Sequence, residues 1–411
     1  YEMQRSLVGS EMCIRDRLIA VLILALIMTS IGWHLSHDIF SPYVAVPGVW
    51  AIAILIYYFL PNTFYPVHNK FPYTLAIWLV GFFISSITCE FLTPSASIAS
   101  VLRQPSQKVL YIYTAITCIS IPIVCGIIIK QALLEDPENI FRYMRIMNTG
   151  IDENIEMPNL GILIYFVALA FIMLFYALIY FKSKTMIILI TILNLLVATV
   201  TMAKTTFLSI MFSALYLCYV QGKIKIRHLV YGLLAFILLS FGVQSLRAVG
   251  EDLETNSFLA LYLSSSIVAF DYYTIPFSSE HLGMHTFRIL YAIGHTLGIT
   301  EPPTETILEF VSIPDMTNTY TNMYPFYEDF GNIGVFVFSI VYGIFYGFLY
   351  KKSRTGGKIQ LVLYAIFLTF VLMEFIGEFI FTNMSVTIQY IVFATLPFLF
   401  SKQNTSKYST K

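Results

Sequence analysis

Residues 160–181 read LGILIYFVALAFIMLFYALIYF, and residues 186–203 read MIILITILNLLVATVTMA, with Lys182 and Lys184 between them. After Lys204 the chain turns apolar again, as TTFLSIMFSALYLCYVQ over 205–221. Neither of the first two runs carries a charge, and each approaches the roughly 20 residues needed to cross a ~30 Å hydrocarbon core. Comparable runs recur at 18–33, 45–60, 73–93, 109–129, 229–246, 330–350, 359–375 and 380–400. The expected fold is therefore all-α and polytopic, with eleven transmembrane helices visible. Lys204 alone separates two of them, which predicts a tight helical hairpin or one broken helix.

Composition agrees with that reading. Of 411 residues 57% are hydrophobic and 12% charged, where a soluble domain has about 25% charged residues. Net charge is zero, and no clustered basic face suggests nucleic acid. Cys89, Cys118, Cys125 and Cys218 sit in or beside apolar runs without metal-ligand spacing and read as small buried hydrophobes. Residues 1–17 stand apart, because Ser6 to Arg17 resembles the translation of a sequencing-library adapter. Setting them aside leaves one membrane domain over 18–411, and implies that a native N-terminus, with a twelfth helix, has been lost.

Basic residues give the orientation. Lys182 and Lys184, then Lys223, Lys225 and Arg227, then Lys351, Lys352, Arg354 and Lys358, then Lys402, Lys407 and Lys411 mark cytoplasmic segments, and Arg103 with Lys108 fits a fifth. Residues 130–159 and 247–329 then lie outside. The second of these is no ordinary loop. Its apolar stretches 256–277 and 286–299 are broken by Asp271, Pro276, His295 and glycines, which suits surface-lying or re-entrant helices over a cavity.

Candidate chemistry clusters in and near that loop. Arg247 and Arg288 carry guanidinium groups able to grip phosphate bidentately, and Lys204 is a cation in the apolar hairpin. Lipid-headgroup contact and lysine snorkelling are the plain alternatives. Asp271, Glu328 and Asp329 are carboxylates among aromatic rings, a setting that suits a general base or sugar binding. Asp329 could instead cap the 330–350 helix. Glu374 and Glu378 share a face at one end of the last two spans. Asp252 and Glu254 read as a solvated loop. His281, His285 and His295 lack the spacing and the nearby carboxylate of a metal site, so no metal or other cofactor is expected. His285 could serve as a base or phosphate contact.

The most distinctive string is Asn318-Thr319-Tyr320-Thr321-Asn322-Met323-Tyr324-Pro325-Phe326-Tyr327-Glu328-Asp329-Phe330-Gly331, continuing through Gly334 into an apolar helix with Gly343 and Gly347. It resembles the signature of the oligosaccharide repeat unit polymerases, the O-antigen and capsule polymerases of bacterial envelopes. Tyr262 through Asp271, with Gly283, Thr286 and Phe287, is similar to that family's large outer loop, and Lys204 to Leu208 to its mid-chain hairpin. The resemblance covers about residues 186–356.

It implies a metal-independent, GT-C-like membrane glycosyltransferase. Such an enzyme moves a growing glycan from undecaprenyl pyrophosphate onto a new lipid-linked repeat unit at the outer face of the cytoplasmic membrane. Its partners would be those glycolipids, the lipid bilayer and a polysaccharide chain-length regulator. Arg247, Arg288 and Lys204 would bind the pyrophosphate. Asp329, then Asp271 and His285, are the base candidates. Tyr320, Tyr324 and Tyr327, with Asn318 and Glu328, would hold sugars. An O-antigen ligase shares the donor and remains an alternative. A lipid-linked oligosaccharide flippase is a further one, less suited to a chain whose charge concentrates in one long loop.

Overall fold

The computed structural model describes residues 2–97, 103–149, 157–225, 258–305 and 307–401, with isolated positions between these segments, and side chains from Arg17 onward. Arg247, Asp252, Glu254 and most of the 229–246 stretch lie outside the described residues. The described chain is helical almost throughout. Its one sheet there is a two-stranded antiparallel ladder that pairs β1 (Val311–Ser312) with β2 (Met316–Thr317).

The apolar runs fold where their lengths require, because backbone polar groups inside a bilayer must be paired within the segment. Among the described residues six helices are long and apolar enough to cross a membrane. They are the Arg17–Ser36 part of α1 (Glu2–Ser36), α2 (Pro42–Phe59), α3 (Lys70–Leu92), α4 (Gln107–Glu135), α6 (Leu163–Tyr180) and α11 (Tyr324–Arg354). Four more are apolar but shorter: α7 (Lys184–Val200), α8 (Lys204–Val220), α12 (Lys358–Leu372) and α13 (Met384–Leu399). Short helices α5 (Ile140–Thr149), α9 (Phe258–Tyr273) and α10 (Arg288–Thr296) complete the described set. The structure is thus that of a mostly helical membrane protein. Around Lys204 it has a hairpin: α7 stops at Val200, Met202 takes φ 50°, and Ala203 precedes α8, which packs on α7.

Contacts divide the chain into two compact units. Unit 2 comprises 95–252, 352–369 and 386–411. In it α4 packs on α5, α6 and α7 around Ile121, Val124, Ile128, Met144, Met147 and Val197. Asn194 of α7 donates to Ala170 O of α6 at 3.1 Å, a polar tie of the kind that joins helices in lipid.

Unit 1 comprises 1–94, 253–351 and 370–385 and holds the 318–334 string. Here α2 packs on α1, α3 and α9. Helix α11 lies close against α3 because it presents glycine: a Cβ on Gly343 would stand 2.6 Å from Phe82 O, the close backbone approach that small residues allow. Two turns into α11 the chain kinks at Gly331, φ 60° and ψ −153°, a conformation essentially reserved for glycine. The kink separates a short leading segment of about two turns, Tyr324 to Phe330, from the long apolar helix. Asp329 therefore does not cap the 330–350 helix; it lies inside that leading segment.

Candidate functional site

The candidate site is built at one end of unit 1, where the start of α11 meets the 275–305 segment. Beneath it lies a stack of aromatic rings. Phe326 stacks on Phe338 at 4.2 Å and on Trp78 at 6.0 Å, and Phe381 meets Phe338 edge-on at 5.1 Å. Such ring contacts contribute about 0.5–1.5 kcal/mol each beyond area burial. They give the polar residues above them a rigid base.

Asp329 reaches backward across that leading segment. Its Oδ2 accepts the Thr286 N–H at 2.7 Å, while Oδ1 accepts from His285 N at 3.2 Å and from Ser279 Oγ at 3.1 Å. Glu328, on the adjacent position, accepts from Ile275 N at 2.9 Å and from the Ser278 hydroxyl. Two neighbouring carboxylates thus pin the 275–286 segment onto α11. Asp271 does similar work: it accepts from His68 N at 2.5 Å, Phe71 N at 2.9 Å and His68 Nδ1 at 3.0 Å, which ties α9 to the start of α3. All three carboxylates are buried.

His285 is held differently. Its backbone is fixed by Asp329, and its ring meets Tyr324 edge-on at 5.6 Å. Among the described residues no hydrogen bond occupies the imidazole. Burial lowers its pKa from the ordinary 6.5; Arg288 acts in the same direction, and Asp329 opposes them. Histidine here is thus the neutral, proton-accepting form near neutral pH.

Three residues on, Arg288 opens α10. Its Nε donates to Thr304 O at 2.6 Å and its Nη1 to Thr382 O at 3.2 Å. Two carbonyls orient the guanidinium, yet among the described residues no carboxylate lies within ion-pair distance of it. Burial depresses its pKa, and Glu305 counters in part. A half-buried arginine pinned by neutral acceptors retains charge and donors to offer an anion.

The tyrosines divide. Tyr324 is half-buried, with Tyr320 at 5.0 Å and His285 beside it. Tyr320 is buried, donates to Glu309 O at 3.1 Å, and has its hydroxyl pKa pushed up to about 12 by burial. Tyr327 is buried against Phe270, ring centres 5.3 Å apart. Asn318 is half-buried. Lys204, in unit 2, is the first residue of α8 and only 4% exposed. Of the other histidines, His281 stacks on Tyr291 and His295 lies 3.3 Å from Thr300 O.

Two groups escaped sequence reasoning. His68, in the 60–69 connection, pairs with Asp271 across about two hundred residues of chain. Trp50 and Trp78 each donate an indole N–H at 3.0 Å to the same oxygen of Glu374. Neither pairing leaves a local signal, since spacing within a helix carries no information about partners so distant.

No family model matches the chain, and no solved structure matches it. An O-antigen polymerase of Shigella dysenteriae is 27% identical over 331 residues, 76% of this chain and 80% of the relative. The chain is similar to an O-antigen polymerase along most of its length. The aligned region is too long to be a single motif, and it joins a mostly helical membrane protein to a relative named for polymerising glycan. The resemblance drawn from the Tyr324–Gly331 string points to the same kind of protein as this relative.

Proposed function

We propose that this membrane O-antigen polymerase joins lipid-linked oligosaccharide repeat units, with undecaprenyl pyrophosphate as the donor's leaving group and the site open to the outer face of the cytoplasmic membrane. The observation that carries the reading is the pairing of Arg288 with His285. An arginine with no carboxylate at ion-pair distance among the described residues stands three residues from a neutral histidine, on a segment locked to the aromatic, acidic start of α11. Glycosyl transfer from a pyrophosphate needs a fixed cation, because negative charge grows on the leaving group as the glycosidic bond breaks. It also needs an acceptor for the proton of the attacking hydroxyl.

In this scheme Arg288 holds the pyrophosphate. Arg247, outside the described residues, and Lys204, in the other unit, are the further cations proposed from sequence. His285 accepts the proton. Asp329 and Asp271 were the stronger base candidates in sequence, but each already accepts three hydrogen bonds from the chain. Asp329 is better suited to positioning His285 than to replacing it. Tyr324 offers the accessible ring against which a sugar can stack, with Tyr320 and Glu328 behind it.

Complementation tests the reading. A host lacking its own polymerase but carrying the cognate repeat-unit genes receives the wild-type chain, Arg288→Ala, Arg247→Ala or His285→Ala. A polysaccharide ladder from wild type that collapses to single repeat units with Arg288→Ala and His285→Ala is the expected result. Single units from wild type, with the protein present in the membrane, would remove the polymerase reading. A normal ladder from one variant would remove that residue's role alone.

A further inference from the structure

His68 and Asp271 pair across 3.0 Å, Nδ1 to Oδ2. The pair has an unusual division of exposure: the Asp271 side chain is fully buried and the His68 side chain 52% exposed. An ionised carboxylate only accepts, so the contact to Nδ1 at 3.0 Å makes that nitrogen the N–H and leaves Nε2 as the outward-facing position. The ring's orientation is fixed by the same carboxylate, which also holds the His68 backbone at 2.5 Å.

Beside this ring stand two tyrosines. Tyr272 lies 4.7 Å from His68, and Tyr65 lies 5.2 Å from Tyr272. The hydroxyl of Tyr272 is bonded to Pro66 O at 3.0 Å, so it helps to fix the ring. Tyrosines that anchor a protein at the lipid interface leave the hydroxyl for water and headgroups; Tyr272 does not. Tyr65 is 38% exposed. The outcome is a row of three rings held by backbone bonds, with one histidine nitrogen available beside them. The segment continues toward the candidate site: Tyr65 N donates to Ile313 O at 3.2 Å, on the hairpin that leads into Tyr320.

We infer that Tyr65, His68 and Tyr272 form a second carbohydrate subsite, which holds sugars of the glycan away from the reacting end by ring stacking and a hydroxyl contact to His68 Nε2. The inference rests on the polymerase reading for its ligand class. Polymerisation requires the enzyme to keep hold of a multi-sugar chain, and one half-exposed tyrosine at the candidate site offers little surface for that. Asp271 acts here as a positioning residue that sets the imidazole.

The test uses the full chain in detergent and, as probe, the repeat-unit oligosaccharide released by mild acid from its lipid carrier. Binding is read by saturation-transfer NMR, with helix content checked by circular dichroism. Tyr272→Ala and His68→Ala should bind the probe about tenfold more weakly, the scale of one lost stacking contact, while Tyr272→Phe keeps the ring and binds as wild type. In complementation the two alanine variants should give ladders shifted to shorter chains. Wild-type binding by Tyr272→Ala would overturn the subsite and leave the polymerase reading intact. So would a loss confined to the amount of folded protein, which is the behaviour of an interface anchor. A wild-type chain that neither binds the probe nor builds a ladder would overturn both.

Discussion

Asp329 holds Thr286 by its backbone: the carboxylate Oδ2 accepts the Thr286 N–H at 2.7 Å, across 43 positions of sequence. With the bonds from His285 N and Ser279 Oγ, this makes Asp329 the fastener that brings His285 and Arg288 to the start of α11.

Asp329→Asn tests that role. An amide in its place presents N–H where a donor now points, so a buried donor loses its acceptor at a cost of about 1–3 kcal/mol. Thermal unfolding in detergent should show the loss together with a collapsed ladder. An unchanged unfolding temperature with abolished turnover would instead mark Asp329 as the base.

The pH profile should carry the mark of His285. Its pKa is lowered below 6.5 by burial, aided by Arg288, and the working form is neutral. Repeat-unit transfer measured in membranes should therefore stay level as pH falls through 6.5 and decline only at lower pH. Stability should move in the same direction. Below the unfolded value of 6.5 the unfolded chain takes up a proton that the folded site resists, so stability falls with pH until the folded pKa is passed. A decline centred above 6.5 that vanishes in His285→Gln would contradict the assignment.

Glu374 lies between α12 and α13, 2% exposed, with both indoles on Oε2 and no hydrogen bond to Oε1. Asn322 is tied to the same residue through its backbone, N to O at 2.8 Å, and its buried amide lies beside the carboxyl. No cation pairs with this carboxyl among the described residues, and so deep a site favours the neutral acid. Glu374→Gln, which keeps an acceptor for the indoles and gains an amide toward Asn322, should match wild type in tryptophan emission and unfolding temperature. Glu374→Ala strands two indole donors and should cost about 2–6 kcal/mol. Equal loss from both variants would show that the site needs an ionised carboxylate.

Gly331→Ala should be damaging out of proportion to one methyl group. At φ 60° and ψ −153° a non-glycine residue costs about 1–3 kcal/mol. The strain falls two residues from Asp329, so both unfolding temperature and ladder length should drop. A variant with wild-type ladders would mean that the kink tolerates relaxation.

How much of this was legible beforehand differs from residue to residue. The apolar run 160–181 gave α6 almost to its ends, and Lys204 marked the hairpin, because charge and length at membrane depth are local quantities. The 318–334 string drew attention to Tyr324 and Asp329. It could not show that Tyr327 is buried against Phe270, since both faces of a short helical turn carry the same residue types here.

The sequence by itself determined that the chain crosses a membrane many times, where most of its helices lie, and which loop gathers the charge. Those follow from the cost of unpaired backbone and of ions in hydrocarbon, which any stretch of about twenty residues reveals. Only the tertiary structure decided which charged groups are already spoken for. Asp271 and Asp329 read alike in sequence with any free acid, until backbone N–H groups from 200 and 43 residues away close on them. Among the described residues Arg288 donates its hydrogen bonds to carbonyl oxygens. A hydrogen bond is satisfied by whatever partner folding brings within 3 Å or so, and that proximity is not written in the spacing of residues along the chain.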